Sequence, residues 1–111
     1  MGWWKHVADE TKFSDERMAK SNLFESERMF CDVYGLEPGQ EQKAHAHPDG
    51  DKIYYVVEGE GTFQVGAERQ SLKKGSVVFA AAGSEHGVVN TGNGRLALLV
   101  FLAPHPRFRK F

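Results

Sequence analysis

The 111-residue sequence contains one cysteine, Cys31, so no disulfide can form within it. A domain of this size without a covalent staple must rely on its apolar core, which fits a reducing compartment. Long hydrophobic runs are also missing. The longest near the C-terminus, Leu96 to Ala103, falls far short of the ~20 residues that cross a bilayer, and no membrane partner is expected. Neither sign of charge dominates: 14 Lys and Arg stand against 15 Asp and Glu, which argues against a nucleic-acid binder. Met1 to His6 holds no signal-like apolar stretch, and His6 occupies the position where a myristoylation signal needs Ser or Thr. The expected setting is the cytoplasm. Repeats, low-complexity segments and helical stretches of useful length are absent too, which disfavours a parallel α/β fold.

What the sequence does have is period-two alternation. From Arg28, Met29, Cys31 and Val33 alternate with Phe30, Asp32 and Tyr34, as in a half-buried strand. Glu37-Pro38-Gly39 signals a turn. Ile53 to Val57 and Thr62 to Val65 flank a glycine-containing loop and are expected to form a hairpin. Ser76 to Ala80, Gly87 to Asn90 and Arg95 to Leu102 are further strands. Short strands separated by frequent turns indicate an all-β sandwich or barrel, here a small antiparallel barrel. Ser14 to Lys20 is expected to form a short helical turn capped by Ser14. The organisation expected is an N-terminal helical or extended arm at 1–22, a barrel at 23–104 and a tail at 105–111.

Three of the five histidines stand out. His45-Ala46-His47 places two imidazoles at i and i+2, on one face if the segment is extended. Such a pair can clamp a borderline transition metal, although an isolated pair on a strand more often faces solvent with no role. His86 follows a glycine turn and reaches the same point only if a barrel closes.

The glycines around these histidines form two patterns: Gly39-x5-His45-x-His47 ending at Gly59, and Gly75-x5-Ala81-x-Gly83-x2-His86-x3-Asn90. Together they resemble the paired motifs of the cupin family, over Gly39 to Asn90. The resemblance implies an antiparallel double-stranded β-helix, or jelly roll, holding one divalent transition metal on His45, His47 and His86. Two positions depart from the family pattern. Ala81 replaces its proline, and Lys52 stands where family members carry a glutamate ligand, with Asp51 beside it. A protonated lysine cannot ligate a metal. Either a bulge turns Asp51 inward as a carboxylate ligand, or the site keeps three histidines and leaves positions open. Lys52 is read first as a lysine that snorkels to the rim, and second as the counter-charge of an anionic substrate.

Alternation puts Lys52, Tyr54 and Val56 on one face, so Tyr54 is expected to line the interior. Phe63, Phe79 and Phe101 are core candidates, Cys31 a small buried residue, and Asn90 a turn residue bonded to local backbone. His6 and His105 are expected bystanders, and Arg107 to Phe111 a solvated tail. The favoured function is a small metalloenzyme acting on a small oxygenated molecule. The resemblance implies a dioxygenase, isomerase or lyase. Iron or manganese would suit oxygen chemistry, and zinc or nickel isomerisation or hydrolysis. The alternative is a non-catalytic module that senses or binds a small ligand or metal. A homodimer is expected, with Trp3, Trp4, Phe13 and Phe24 available for an interface.

Overall fold

The computed structural model describes residues 2–108. In chain order these form α1 (Val7–Glu10), β1 (Ala19–Glu25), β2 (Phe30–Leu36), β3 (Glu41–His45), β4 (Asp51–Glu58), β5 (Glu60–Val65), β6 (Glu68–Lys73), β7 (Val77–Ala80), β8 (His86–Val89) and β9 (Leu96–Ala103). A 3-10 turn follows at Pro106–Phe108. The strands build two antiparallel sheets, ordered β1-β2-β9-β4-β7 and β3-β8-β5-β6. This is the expected all-β double-stranded β-helix. No helix among the described residues is long and apolar enough to cross a membrane.

Alternation decides what each strand buries. On β4, Lys52, Tyr54 and Val56 point inward, opposite Leu102, Val100 and Leu98 of β9. Tyr34 and Leu36 of β2 join them from the first sheet, and Phe63 and Val88 from the second. Each large apolar side chain so buried stabilises the fold by roughly 1.5–3 kcal/mol. A smaller cluster lies on the other face of the first sheet. There Leu23, Cys31 and Val33 pack with Leu99, Phe101 and Val7 of α1. Burial raises the Cys31 thiol above its ordinary pKa, with the charge of Asp32 adding to it. Asn90 behaves as a turn residue: its side chain donates to the Leu36 and Gly94 carbonyls and accepts from the Gly92 N–H.

Several local expectations are corrected. The helical turn falls at Val7–Glu10 rather than Ser14 to Lys20, and Ala19 begins a strand that pairs with β2. Tertiary pairing outweighs the weak helical preference of so short a segment. The expected hairpin does not form either. β4 pairs with β7 and β9, whereas β5 pairs with β6 and β8. Gly59 (φ +82°) instead carries the chain from one sheet to the other. Phe79 faces outward on β7 and is exposed, because its partner Ile53 lies on the outer face of β4. The tail is tied down as far as it is described. His105 is buried edge-on against Phe30, and Arg107 forms an ion pair with Glu25 at 2.7 Å. Arg109, Lys110 and Phe111 lie outside the described residues.

Candidate metal centre

Each of the three histidines is placed by a separate device. β3 and β8 pair Gln42 with Val88 and His45 with His86, so β3 carries one residue more than its partner across this interval. This bulge reverses the alternation and brings His45 to the interior side that Gln42 already occupies. β8 comes unusually close to the bulge. A Cβ on Gly87 would lie 2.8 Å from the Gln42 carbonyl oxygen and 2.9 Å from the Ala44 nitrogen, so only glycine fits directly after His86. His47 lies beyond the end of β3, and its carbonyl accepts the Gly83 N–H at 2.8 Å. The turn of the second motif thereby anchors the loop of the first.

The three imidazoles converge. Ring centroids lie 4.9 Å apart for His45 and His47, 4.4 Å for His45 and His86, and 5.4 Å for His47 and His86. One nitrogen from each ring lies within 4.8 Å of the others, and among the described residues no carboxylate or thiol joins the group. The backbone sets two tautomers. Nδ1 of His45 lies 2.8 Å from the Lys43 carbonyl, and Nδ1 of His86 lies 2.9 Å from that of Ser84. A carbonyl only accepts, so both Nδ1 atoms carry the proton and both Nε2 atoms present a lone pair. Burial also depresses the pKa of both imidazoles, and the nearby Lys52 charge acts in the same direction. The neutral, metal-binding form is favoured.

Nε2 of His86 is buried and has no hydrogen-bond partner among the described residues. Leaving such an atom unsatisfied costs about 1–3 kcal/mol. The Nε2 atoms of His45 and His47 face each other at 3.2 Å. Two ligands of one tetrahedral ion at the usual ~2.0–2.1 Å bond lengths would stand about 3.3 Å apart. The donor set therefore fits a borderline divalent transition metal.

The cupin domain family matches residues 32–102. The chain belongs to the cupin family. An oxalate-binding protein of Thermotoga maritima is 32% identical to this cupin over 85 residues, covering 77% of this chain and 69% of the other. A crystal structure of TT1209 from Thermus thermophilus superposes with a TM-score of 0.90 at 45% identity, covering 93% of this chain and 98% of that one. A conserved Klebsiella pneumoniae protein with a double-stranded β-helix domain also superposes at 0.90, with 26% identity over 96% of this chain and 93% of its own.

Asp51 is exposed, and its Oδ1 accepts the Ala82 N–H at 2.9 Å rather than turning toward the histidines. Lys52 does not reach the rim. Its side chain is 1% exposed, Nζ donates to Gln42 Oε1 at 3.2 Å, and the amine sits over the Tyr34 and Tyr54 rings. Strand alternation seats it there, since a reach to solvent would require β4 to slip by one residue. Tyr54 is fully buried. Its hydroxyl donates to Gln42 Oε1, and its ring lies 6.1 Å from that of His86. Desolvation depresses Lys52 to about 7 and raises Tyr34 to about 12, with Tyr54 raised further. Gln42 and Tyr34 complete this polar floor, and sequence reasoning passed over both. The one signal for Gln42 was its position on the strand that leads to the histidine pair.

Proposed function

We propose that this cupin holds one divalent transition metal on His45, His47 and His86 and binds a small oxygenated molecule beside it, as an enzyme. The observation that carries this reading is the buried, unpartnered Nε2 of His86, converging with the rings of His45 and His47. When bound, such an ion supplies Lewis acidity or, if it is iron or manganese, oxygen activation. Three neutral protein ligands leave coordination positions for water or substrate, as in catalytic rather than structural sites. The carbonyls of Lys43 and Ser84 orient the rings, and the apolar interior around Tyr54, Phe63 and Val88 excludes bulk water. A non-catalytic ligand-binding role is the second reading, favoured by the name of the Thermotoga maritima relative, an oxalate-binding protein.

Elemental analysis tests the ligand set. The purified protein is expected to carry close to one equivalent of a first-row metal, and His47→Ala less than a tenth of that. The variant should unfold within a few degrees of the metal-free parent, because His47 lies outside the strands that form the core. Full occupancy in His47→Ala would overturn the site. Turnover by the metal-loaded protein that His45→Ala lacks would separate an enzyme from a binding module.

We also propose a homodimer in a reducing cytoplasm. The free thiol of Cys31 is buried. Trp3, Trp4, Tyr55, Val77 and Phe79 are exposed, the last three sharing the outer face of β4 and β7. Tyr55, Val77 and Phe79 form an exposed apolar patch of the kind that an interface covers. Sedimentation should give a dimer for the parent and a monomer for the double variant Val77→Asp with Phe79→Asp. A monomeric parent would refute the assembly.

A further inference from the structure

Lys52 is a buried cation at a position where an apolar side chain of similar volume would serve the fold. It faces the interior between Ala80 of β7 and Leu102 of β9, above Tyr54 on its own strand. A methionine or leucine would fill that space without a charge. No carboxylate forms an ion pair with it among the described residues, although the charge of Asp32 acts on it. Its one side-chain hydrogen bond among the described residues runs to Gln42 Oε1, which also accepts the Tyr54 hydroxyl. An ammonium has three donors. Gln42 also belongs to β3, the strand that ends at His45, so the amine is tethered to the strand that carries the first imidazole. Its charge acts on both His45 and His86.

We infer that Lys52, held by Gln42 and Tyr54, makes this a site selective for small carboxylate anions. The inference rests on the metal reading above. Three neutral imidazoles leave the +2 charge of an ion uncompensated, and Lys52 in its protonated form adds a further positive charge that acts on His45 and His86. The charge of Asp32 acts on Lys52, but no carboxylate joins the three imidazoles among the described residues, so a bound anion is what balances the ion. A small carboxylate does this with one functional group, because its oxygens suit both a hard or borderline metal and an ammonium donor. Neutral oxygenated molecules of the same shape supply no such balance, so the site discriminates by charge as well as by shape.

The test uses the 111-residue protein loaded with cobalt(II), whose visible absorption reports directly on its ligands. Titration with acetate is expected to change the spectrum, whereas isosteric acetamide leaves it unchanged. Lys52→Met should weaken acetate binding at least tenfold while binding cobalt as tightly as the parent or more so. Lys52→Gln, which keeps a polar group, should behave in the same way. Lys52→Glu should bind cobalt at least tenfold more tightly, by adding a carboxylate ligand, and lose the acetate response. Unchanged acetate affinity in Lys52→Met and Lys52→Gln would overturn the inference and leave the metal site standing. A parent protein that develops no cobalt spectrum would overturn both.

Discussion

Replacing Lys52 by methionine is expected to stabilise the metal-free protein by roughly 3–4 kcal/mol at pH 6, within the range found when buried charged groups give way to apolar ones of similar volume. The same change should flatten its response to pH. Burial, with the charge of Lys20 adding to it and that of Asp32 opposing it, lowers Lys52 from 10.5 to about 7. Below pH 7 the amine is protonated in both folded and unfolded chains, and the fold carries the whole penalty. Between pH 7 and 10.5 the unfolded chain holds a proton that the folded one has released, so stability rises with pH. From pH 7 to 9 the parent should gain about 2 kcal/mol from this group. The window stops there for a reason. Tyr34 and Tyr54 are raised above their ordinary value of 10.0, so stability that they contribute at lower pH is lost once unfolded tyrosines ionise. Urea unfolding of both proteins at pH 6, 7 and 9, with a chelator present, measures the difference. Parallel curves for parent and Lys52→Met would show that the buried amine has no such effect.

That expectation bears on function. A chain that keeps a destabilising cation at a core position gives up stability that methionine would restore, and such residues are commonly retained for activity. If Lys52→Met is the more stable protein and the weaker carboxylate binder, the two measurements together assign the lysine to the ligand rather than to the fold.

Much of the architecture was legible in the order of residue types, for identifiable reasons. β2, β4, β5 and β9 alternate or run apolar because one or both of their faces are buried, and that pattern survives in any single sequence. β6 escaped because its segment, Glu68–Lys73, is almost wholly polar and lies at the sheet edge, burying little. β1 escaped because its Ala19–Glu25 segment buries only Leu23. The histidine pair was legible as a pair, but its aim was not. The i, i+2 rule presumes an unbroken strand, whereas His45 is turned by the bulge and His47 lies in the loop beyond. Spacing placed Lys52 on the interior face, and the preference of lysines for water argued against it. Strand register prevailed, because a one-residue slip would have exposed Tyr54 and Val56 as well. Gln42 could not have been found locally, since its partners Lys52 and Tyr54 come from another sheet.

Gly59→Ala should be strongly damaging for a single added methyl group, lowering stability by about 3–5 kcal/mol. Two costs combine there. Gly59 has φ +82°, where a side chain strains the backbone by roughly 1–2 kcal/mol. The added Cβ would also overlap the carbonyl oxygen of Arg95 and come within 3.1 Å of the Leu96 Cα. These are backbone atoms at the start of β9 and cannot rotate away. Gly39 and Gly75 provide the control, since both have positive φ but nothing lies within 4 Å of a Cβ built on them. Alanine at either position should cost only the conformational part, about 1–2 kcal/mol. The difference arises from the junction between sheets. Lys74 N donates to the Gly59 carbonyl, and Gly75 N donates to that of Val56, so the crossing is pinned from the β6–β7 side while β9 closes it from the other. If urea midpoints for Gly59→Ala and Gly75→Ala coincide, the close approach to Arg95 is not what selects glycine at this corner. If Gly59→Ala alone collapses, the glycine that ends the first motif is there to let two sheets share one chain.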